Sequence, residues 1–264
     1  MLKRKYAYSV IALVFIIGFY LYDHNIFEKI VPTKEAVYLD KNQDLLPTST
    51  TGQVVVHKYY TLSYNEKYEQ AEWLAYKLTA NQIVNTHFKR PYFITDKKVK
   101  TKSAHYKDYK NSGYDKGHLC PAADRKFLKE AHDETFLMSN VSPQNHQFNS
   151  GIWNRLEQKT RYWASKYDSL YIITGGVLTD DLPTIGRDKV GVPKRFYKII
   201  FDYSGPKLKT IAFLMPNKDS EKALYKFVTS IDEIEKITKI DFFPALPDEL
   251  ENRLEASVNY KKWF

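Results

Sequence analysis

Apolar and polar positions alternate in three distinct ways along this chain. The first is a nearly unbroken apolar run, 6–22, behind Lys3-Arg4-Lys5. It sits at the short end of what crosses a bilayer as a helix, which takes about 20 residues. A basic flank before an apolar core also marks a secretory signal, but a cleaved one needs small residues at the cut. Here the run ends in Gly18-Phe19-Tyr20-Leu21-Tyr22. An uncleaved signal-anchor is therefore the expectation, with a cleaved signal as the alternative. The charge bias keeps the flank 1–5 in the cytoplasm and sends the rest across as a single-pass protein. Residues 23–52 show little periodicity, and Leu46-Pro47-Thr48-Ser49-Thr50-Thr51-Gly52 reads as a tether. The remaining 53–264 is one domain.

The second pattern is the short β-branched or aromatic run. Val54 to Tyr60, Ser169 to Thr174, Val192 to Phe201 and Leu208 to Met215 read as strands, with Ser204-Gly205-Pro206-Lys207 as a hairpin turn. The third is helical spacing. Tyr68, Ala71, Ala75 and Leu78 share a helical face, so Tyr68 to Leu78 is expected to be a helix. Phe148, Ile152 and Leu156 form another stripe. Further helices are expected near Ser220, after Ser230 (with Glu233 completing a capping-box pattern) and from Asp248 onward. The mix predicts an α+β fold: a central antiparallel sheet flanked by helices, plus the N-terminal transmembrane helix.

Charge narrows the partners. The formal net charge is +9, which favours polyanions such as nucleic acid or anionic lipid. Lys97, Lys98, Lys100, Lys102, Lys107 and Lys110 cluster after a polar-aromatic loop containing Lys89-Arg90-Pro91. Such a run is either a solvated face or a rim that tracks phosphates. The single cysteine, Cys120, excludes an intramolecular disulfide and reads as a small packed residue.

The densest chemistry lies between Gly113 and Arg161. Asn149, Trp153, Glu157 and Arg161 recur every fourth residue, which places them along one side of a helix. An amide oxygen suits a hard cation such as Mg²⁺, a carboxylate nearby can hold the metal's waters, and an arginine can grip phosphate. The plain alternative is an amphipathic helix with a Glu157–Arg161 surface pair. Upstream, Asp115-Lys116-Gly117-His118 sets a cation and a histidine around a glycine. A neutral histidine can take a proton from water, with Asp115 or a backbone carbonyl orienting its ring, although a lone histidine near a turn is commonly structural. Together the two halves supply the parts for metal-assisted phosphodiester hydrolysis.

These residues carry a resemblance. Tyr114-Asp115-Lys116-Gly117-His118-Leu119 resembles the Asp-Arg-Gly-His signature of the DNA/RNA non-specific endonucleases, the endonuclease G-like ββα-metal nucleases. Ser139-Asn140-Val141-Ser142-Pro143-Gln144, Phe148-Asn149, Trp153-Asn154 and Leu156-Glu157 look like that family's second block. Weaker similarity runs from about Tyr59 to Phe243.

The resemblance implies a ββα-metal active-site motif in which His118 is the general base and Asn149 the direct protein ligand of a hydrated Mg²⁺, with Mn²⁺ as a substitute. It implies that Glu157 holds the metal through water, that Arg161 contacts phosphate, and that Asp115 and Asn140 are supporting. Lys116 stands where the family usually has arginine. It keeps the charge and loses the planar two-pronged grip. The implied activity is hydrolysis of DNA and RNA with little sequence or sugar specificity, leaving 5′-phosphate ends. With the anchor, this describes a membrane-bound nuclease whose catalytic domain lies outside the cytoplasm. A homodimer is an assembly to be tested. Two rivals stand beside it: a nucleic-acid-binding protein with a weakened site, and a phosphodiesterase for another phosphate ester.

Overall fold

The computed structural model describes residues 44–264. In chain order its strands are β1 (Val54–Val56), β2 (Thr61–Asn65), β3 (Gln70–Thr79), β4 (Asp115–His118), β5 (Val141–Gln144), β6 (Ser169–Gly176), β7 (Thr184–Ile185), β8 (Val190–Gly191), β9 (Arg195–Asp202), β10 (Lys209–Pro216) and β11 (Val228–Thr229). Its α-helices are α1 (Lys129–Glu134), α2 (Asn154–Tyr167), α3 (Ile231–Thr238) and α4 (Asp248–Glu255). Seven strands form one sheet in the order β1-β2-β3-β6-β9-β10-β11, antiparallel throughout. The expected α+β class and antiparallel sheet are both present.

The sheet is buried on both faces, and successive side chains divide between two cores. On β3, Leu74, Tyr76 and Leu78 enter one core while Trp73 and Ala75 enter the other. On β9, Phe196 and Ile200 face the first core, and Tyr197, Ile199 and Phe201 the second. The first core is closed by Phe148, Ile152, Leu156, Trp163 and Ala164 of α2 and the turn before it. The second is closed by Ile231 and Ile234 of α3 and Leu250 and Leu254 of α4. The active-site helix and the C-terminal helix pair therefore lie on opposite faces.

Four expectations change. From Gln70 onward, the stretch Tyr68 to Leu78 is strand rather than helix, with Tyr68 and Glu69 in the turn before it. A central strand covered on both faces loses its alternation of apolar and polar residues, and its apolar positions then mimic helical spacing. The segment after Ser220 holds a 3₁₀ turn, Leu224–Phe227, and β11 instead of an α-helix. The first strand stops at Val56, and His57 turns to the buried carboxylate of Asp96. The stretch read as a tether packs on the domain: Leu45 is buried, Trp73 Nε1 donates to the Thr48 carbonyl at 2.8 Å, and Thr50 N–H donates to Glu72 at 2.9 Å.

Other expectations hold. The 204–207 turn joins β9 to β10. Ser230 caps α3 by accepting a hydrogen bond from Glu233 N–H at 3.2 Å. The anchor expected at 6–22 lies outside the described residues. Among the described residues no helix is long and apolar enough to cross a membrane.

Candidate active site

Two strands and a helix build the site. β4 and β5 pair antiparallel as a separate small sheet, Asp115 opposite Gln144 and His118 opposite Val141. Alternation along β4 sends Lys116 and His118 to one side and Asp115 to the other. Gly117 is dictated by packing, because a Cβ there would fall 2.2 Å from the Gln144 side chain. Asn140 locks the exit from β4: its Nδ2 donates to the carbonyls of Cys120 (3.0 Å) and Thr135 (2.8 Å), and its Oδ1 accepts from Cys120 N–H at 2.8 Å. The Cys120 thiol is buried and pushed up to about 12 by that burial, so it stays protonated and unreactive.

His118 packs between Phe93 and Phe136, with ring centroids 5.4 and 5.1 Å away. Its Nε2 is shut off from solvent and has no hydrogen-bond partner among the described residues. Burial first, then the charge of Arg90 and His132, pushes it down to about 3. The imidazole is therefore neutral across the physiological range, and the residue as a whole keeps part of its surface exposed. Lys116 extends over the rings of Phe93 and Tyr109, 5.5 and 5.6 Å from their centroids. Burial and then Arg90 hold its ammonium below the usual lysine value.

The helical half differs from a single regular helix. Phe148–Trp153 forms a π-type turn broken at Gly151, and α2 begins only at Asn154. Widened turns of this kind recur at functional sites. Asn149 thus sits on the turn before α2, Glu157 and Arg161 sit on α2 itself, and Trp153 is fully buried in the core. The four residues do not share one helical edge.

Asp115 turns away from His118. It accepts hydrogen bonds from Asn149 Nδ2 and from His146, both at 2.9 Å. Holding Nδ2 fixes the Asn149 amide and leaves Oδ1 as its free acceptor, the atom a hard cation takes. Glu157 is half-buried and pushed up to about 7 by burial, with Asp124 adding and Lys198 and Arg161 opposing. A carboxylate held this high, on the helix that follows the turn bearing Asn149, is what a divalent cation would relieve, so the residues present fit such an ion.

Arg161 does not pair with Glu157 as a surface ion pair. Its Nη1 donates to Asp124 Oδ1 at 2.8 Å, and Tyr76 donates to Asp124 Oδ2 at 2.8 Å. Although burial favours the neutral form, Asp124 holds Arg161 above its ordinary value. One edge of the guanidinium is committed, and the planar fork keeps further donors for phosphate.

Three residues escaped the sequence reading. Arg90 was assigned only to a loop, yet its guanidinium covers Phe93 and Phe136 at 5.4 and 5.5 Å and acts on both Lys116 and His118. No local pattern marks it, because it reaches the site through a loop. Asp124 lies in a 3₁₀ turn and is fully buried. Lys198 is fully buried on β9, its Nζ 4.9 Å from the Trp153 ring centroid and without a hydrogen-bond partner among the described residues. A lysine inside the apolar run Phe196 to Phe201 was the available signal, since lysine is almost never fully buried without cause.

A histidine on the first of two antiparallel strands, followed by an asparagine on the turn into a helix and a glutamate on that helix, is the strand–strand–helix arrangement of the ββα class. The family model for DNA/RNA non-specific endonucleases matches residues 41–249, and the chain belongs to that family. It is 34% identical over 209 residues to the mitochondrial nuclease EXOG of Danio rerio, covering 72% of this chain and 61% of the relative. It is 30% identical over 208 residues to human mitochondrial endonuclease G, covering 73% and 70%. A nuclease from Nostoc is 31% identical over 229 residues, covering 81% and 82%. Among solved structures, the EndoG/EndoGI complex matches with a TM-score of 0.69 at 29% identity, covering 74% of this chain and 87% of that one. The chain spans about three-fifths of the length of the EXOG relatives it matches.

Proposed function

We propose that this chain is a metal-dependent endonuclease that hydrolyses the phosphodiester bonds of DNA and RNA and leaves 5′-phosphate ends. One observation carries the reading: His118 presents an unpartnered, neutral imidazole while Asp115 fixes the Asn149 amide across the same small sheet and helix. In this role His118 accepts a proton from a water aligned with the phosphorus. Lys116 and Arg90 hold the non-bridging oxygens and meet the charge that builds there. Glu157 would hold the ion's waters, and Arg161, steadied by Asp124, adds a phosphate contact. Asn149 would hold a divalent ion such as Mg²⁺, which would supply Lewis-acid stabilisation of the leaving 3′ oxygen. Contacts to phosphate carry no sequence information, which fits cleavage indifferent to base and sugar.

The family membership and the names of the relatives support the nuclease reading. The basic flank and apolar run at the N-terminus support attachment to a membrane with the catalytic domain outside the cytoplasm. The test uses supercoiled plasmid and RNA, with Mg²⁺ or chelator, and wild type beside Asn149→Ala. Mg²⁺-dependent nicking, with new ends that carry 5′-phosphate, is expected from wild type and is strongly reduced in Asn149→Ala. Binding of both nucleic acids without cleavage would replace this reading with that of a binding protein. Cleavage undiminished by chelator would remove the metal from it.

A further inference from the structure

A second group of carboxylates lies on the face of the sheet opposite α2. Asp232 and Glu235 project from α3, Glu251 and Glu255 from α4, and Asp241 from the loop between them. Oxygens of Asp232, Glu235 and Glu255 all lie within 4.8 Å of one another, and so do those of Asp241, Glu251 and Glu255. Glu255 belongs to both triads. It is only 6% exposed, and its Oε1 has no hydrogen-bond partner among the described residues. The chain has 40 lysines and arginines, yet among the described residues none forms an ion pair with any of the five carboxylates. The hydrogen bond the cluster receives there is from Phe242 N–H to Glu235 Oε1 at 2.7 Å.

Like charges this close, with one buried and unpartnered, are relieved by a counter-charge or, in its absence, by a proton. The donors are all carboxylate oxygens from three segments, with neither the sulfur nor the imidazole that zinc favours. Mg²⁺ prefers strict octahedral geometry and few carboxylates, whereas Ca²⁺ accepts many oxygens in irregular arrangements. Asp232 and Asp241 are exposed, which gives an ion a path in.

We propose that Asp232, Glu235, Asp241, Glu251 and Glu255 form a Ca²⁺ site, separate from the catalytic centre, that pins α3 and the closing loop to α4. Burial, then Glu235 and Glu251, pushes Glu255 up to about 9, which agrees with a carboxylate awaiting a cation. The role is structural: the ion ties together the elements that cover the second core.

The test is thermal unfolding and equilibrium dialysis with ⁴⁵Ca²⁺ on the chelator-stripped full chain. Wild type, Asn149→Ala, Glu255→Gln and the exposed pair Asp232→Asn/Asp241→Asn are compared. For a carboxylate site open to solvent the Kd is expected near 10⁻⁴–10⁻³ M. At about 10 mM Ca²⁺ the Tm of wild type and of Asn149→Ala should rise by roughly 5 °C. That rise should vanish in Glu255→Gln, and the Kd should weaken by about tenfold or more in the exposed pair, which serves if Glu255→Gln does not fold. A Ca²⁺ response that disappears with Asn149→Ala would assign the binding to the catalytic centre and overturn the proposal. An undiminished response in both carboxylate variants would overturn it as well.

Discussion

His57 is buried and His118 half-buried, and their surroundings drive them in opposite directions. His57 Nε2 lies 2.8 Å from Asp96 Oδ2, and its Nδ1 lies 3.6 Å from Glu134. Asp96 in turn accepts from Ser139 Oγ at 2.6 Å and from Lys98 N–H at 2.9 Å. Burial alone would lower His57, but the hydrogen bonds to Asp96 and Glu134 outweigh it and leave the ring raised above 6.5. His118 meets two aromatic rings and a guanidinium, and burial dominates. One chain segment serves both: Glu134 binds His57 and Phe136 packs on His118. A partnered histidine is a structural tie. A buried one without a partner costs stability, and what it offers in return is a lone pair.

Substituting the two residues gives the largest expected contrast. His118→Ala should lower hydrolysis by about 10²–10⁴-fold while the Tm stays level or rises. His57→Ala should do the reverse. Leaving Asp96 buried without its partner costs about 3–5 kcal/mol, while kcat of the folded fraction stays within a few-fold. Plasmid nicking and denaturant unfolding of both variants decide the matter, and a His57→Ala protein of wild-type stability would erase the distinction.

Next in size is Asp115, which the sequence associated with the histidine and the structure associates with the amide. Asp115→Ala should weaken the apparent affinity for Mg²⁺ by roughly 10–100-fold, with kcat largely recovered at saturating metal. An unchanged metal requirement with a lower kcat would return Asp115 to the His118 side of the site.

Acidification separates the two rings by sign. The unfolded chain protonates each histidine near 6.5. Native His57 holds its proton more tightly, so its contribution is fully present below 6.5 and is lost as pH rises through its raised folded value. Native His118 refuses a proton until about pH 3, so it withdraws stability as pH falls below 6.5. Across pH 5–9, the stability gap between wild type and His57→Gln should narrow toward high pH. His118→Asn should gain on wild type toward low pH. Parallel curves for the two variants would contradict the opposite environments.

The smallest effect is expected at Lys116. Lys116→Arg exchanges the ammonium for a planar guanidinium in a slot lined by Phe93 and Tyr109, and kcat/KM should change by less than about tenfold. Lys116→Ala should cost more, as it removes the charge beside His118.

Much of the site could be read from the chain because its residues are close in sequence. Asp115 to His118 and Asn149 to Arg161 are local patterns, and Ser230 with Glu233 is a local cap. These depend on neighbours a few residues away, so the sequence alone determined them. It also determined the antiparallel character of the sheet through the runs that became β6, β9 and β10. What tertiary structure decided was contact between distant segments. β3 is a strand because two cores bury its two faces, a fact that no window around Tyr68 to Leu78 contains. Arg90 and Lys198 reach the site from a loop and a central strand. Asp115 belongs to Asn149 because antiparallel pairing of β4 with β5 fixes which way each side chain points. His118 was named from its signature, but its lone pair is free only because Phe93 and Phe136 fill the positions where a carboxylate, as at His57, would have claimed it.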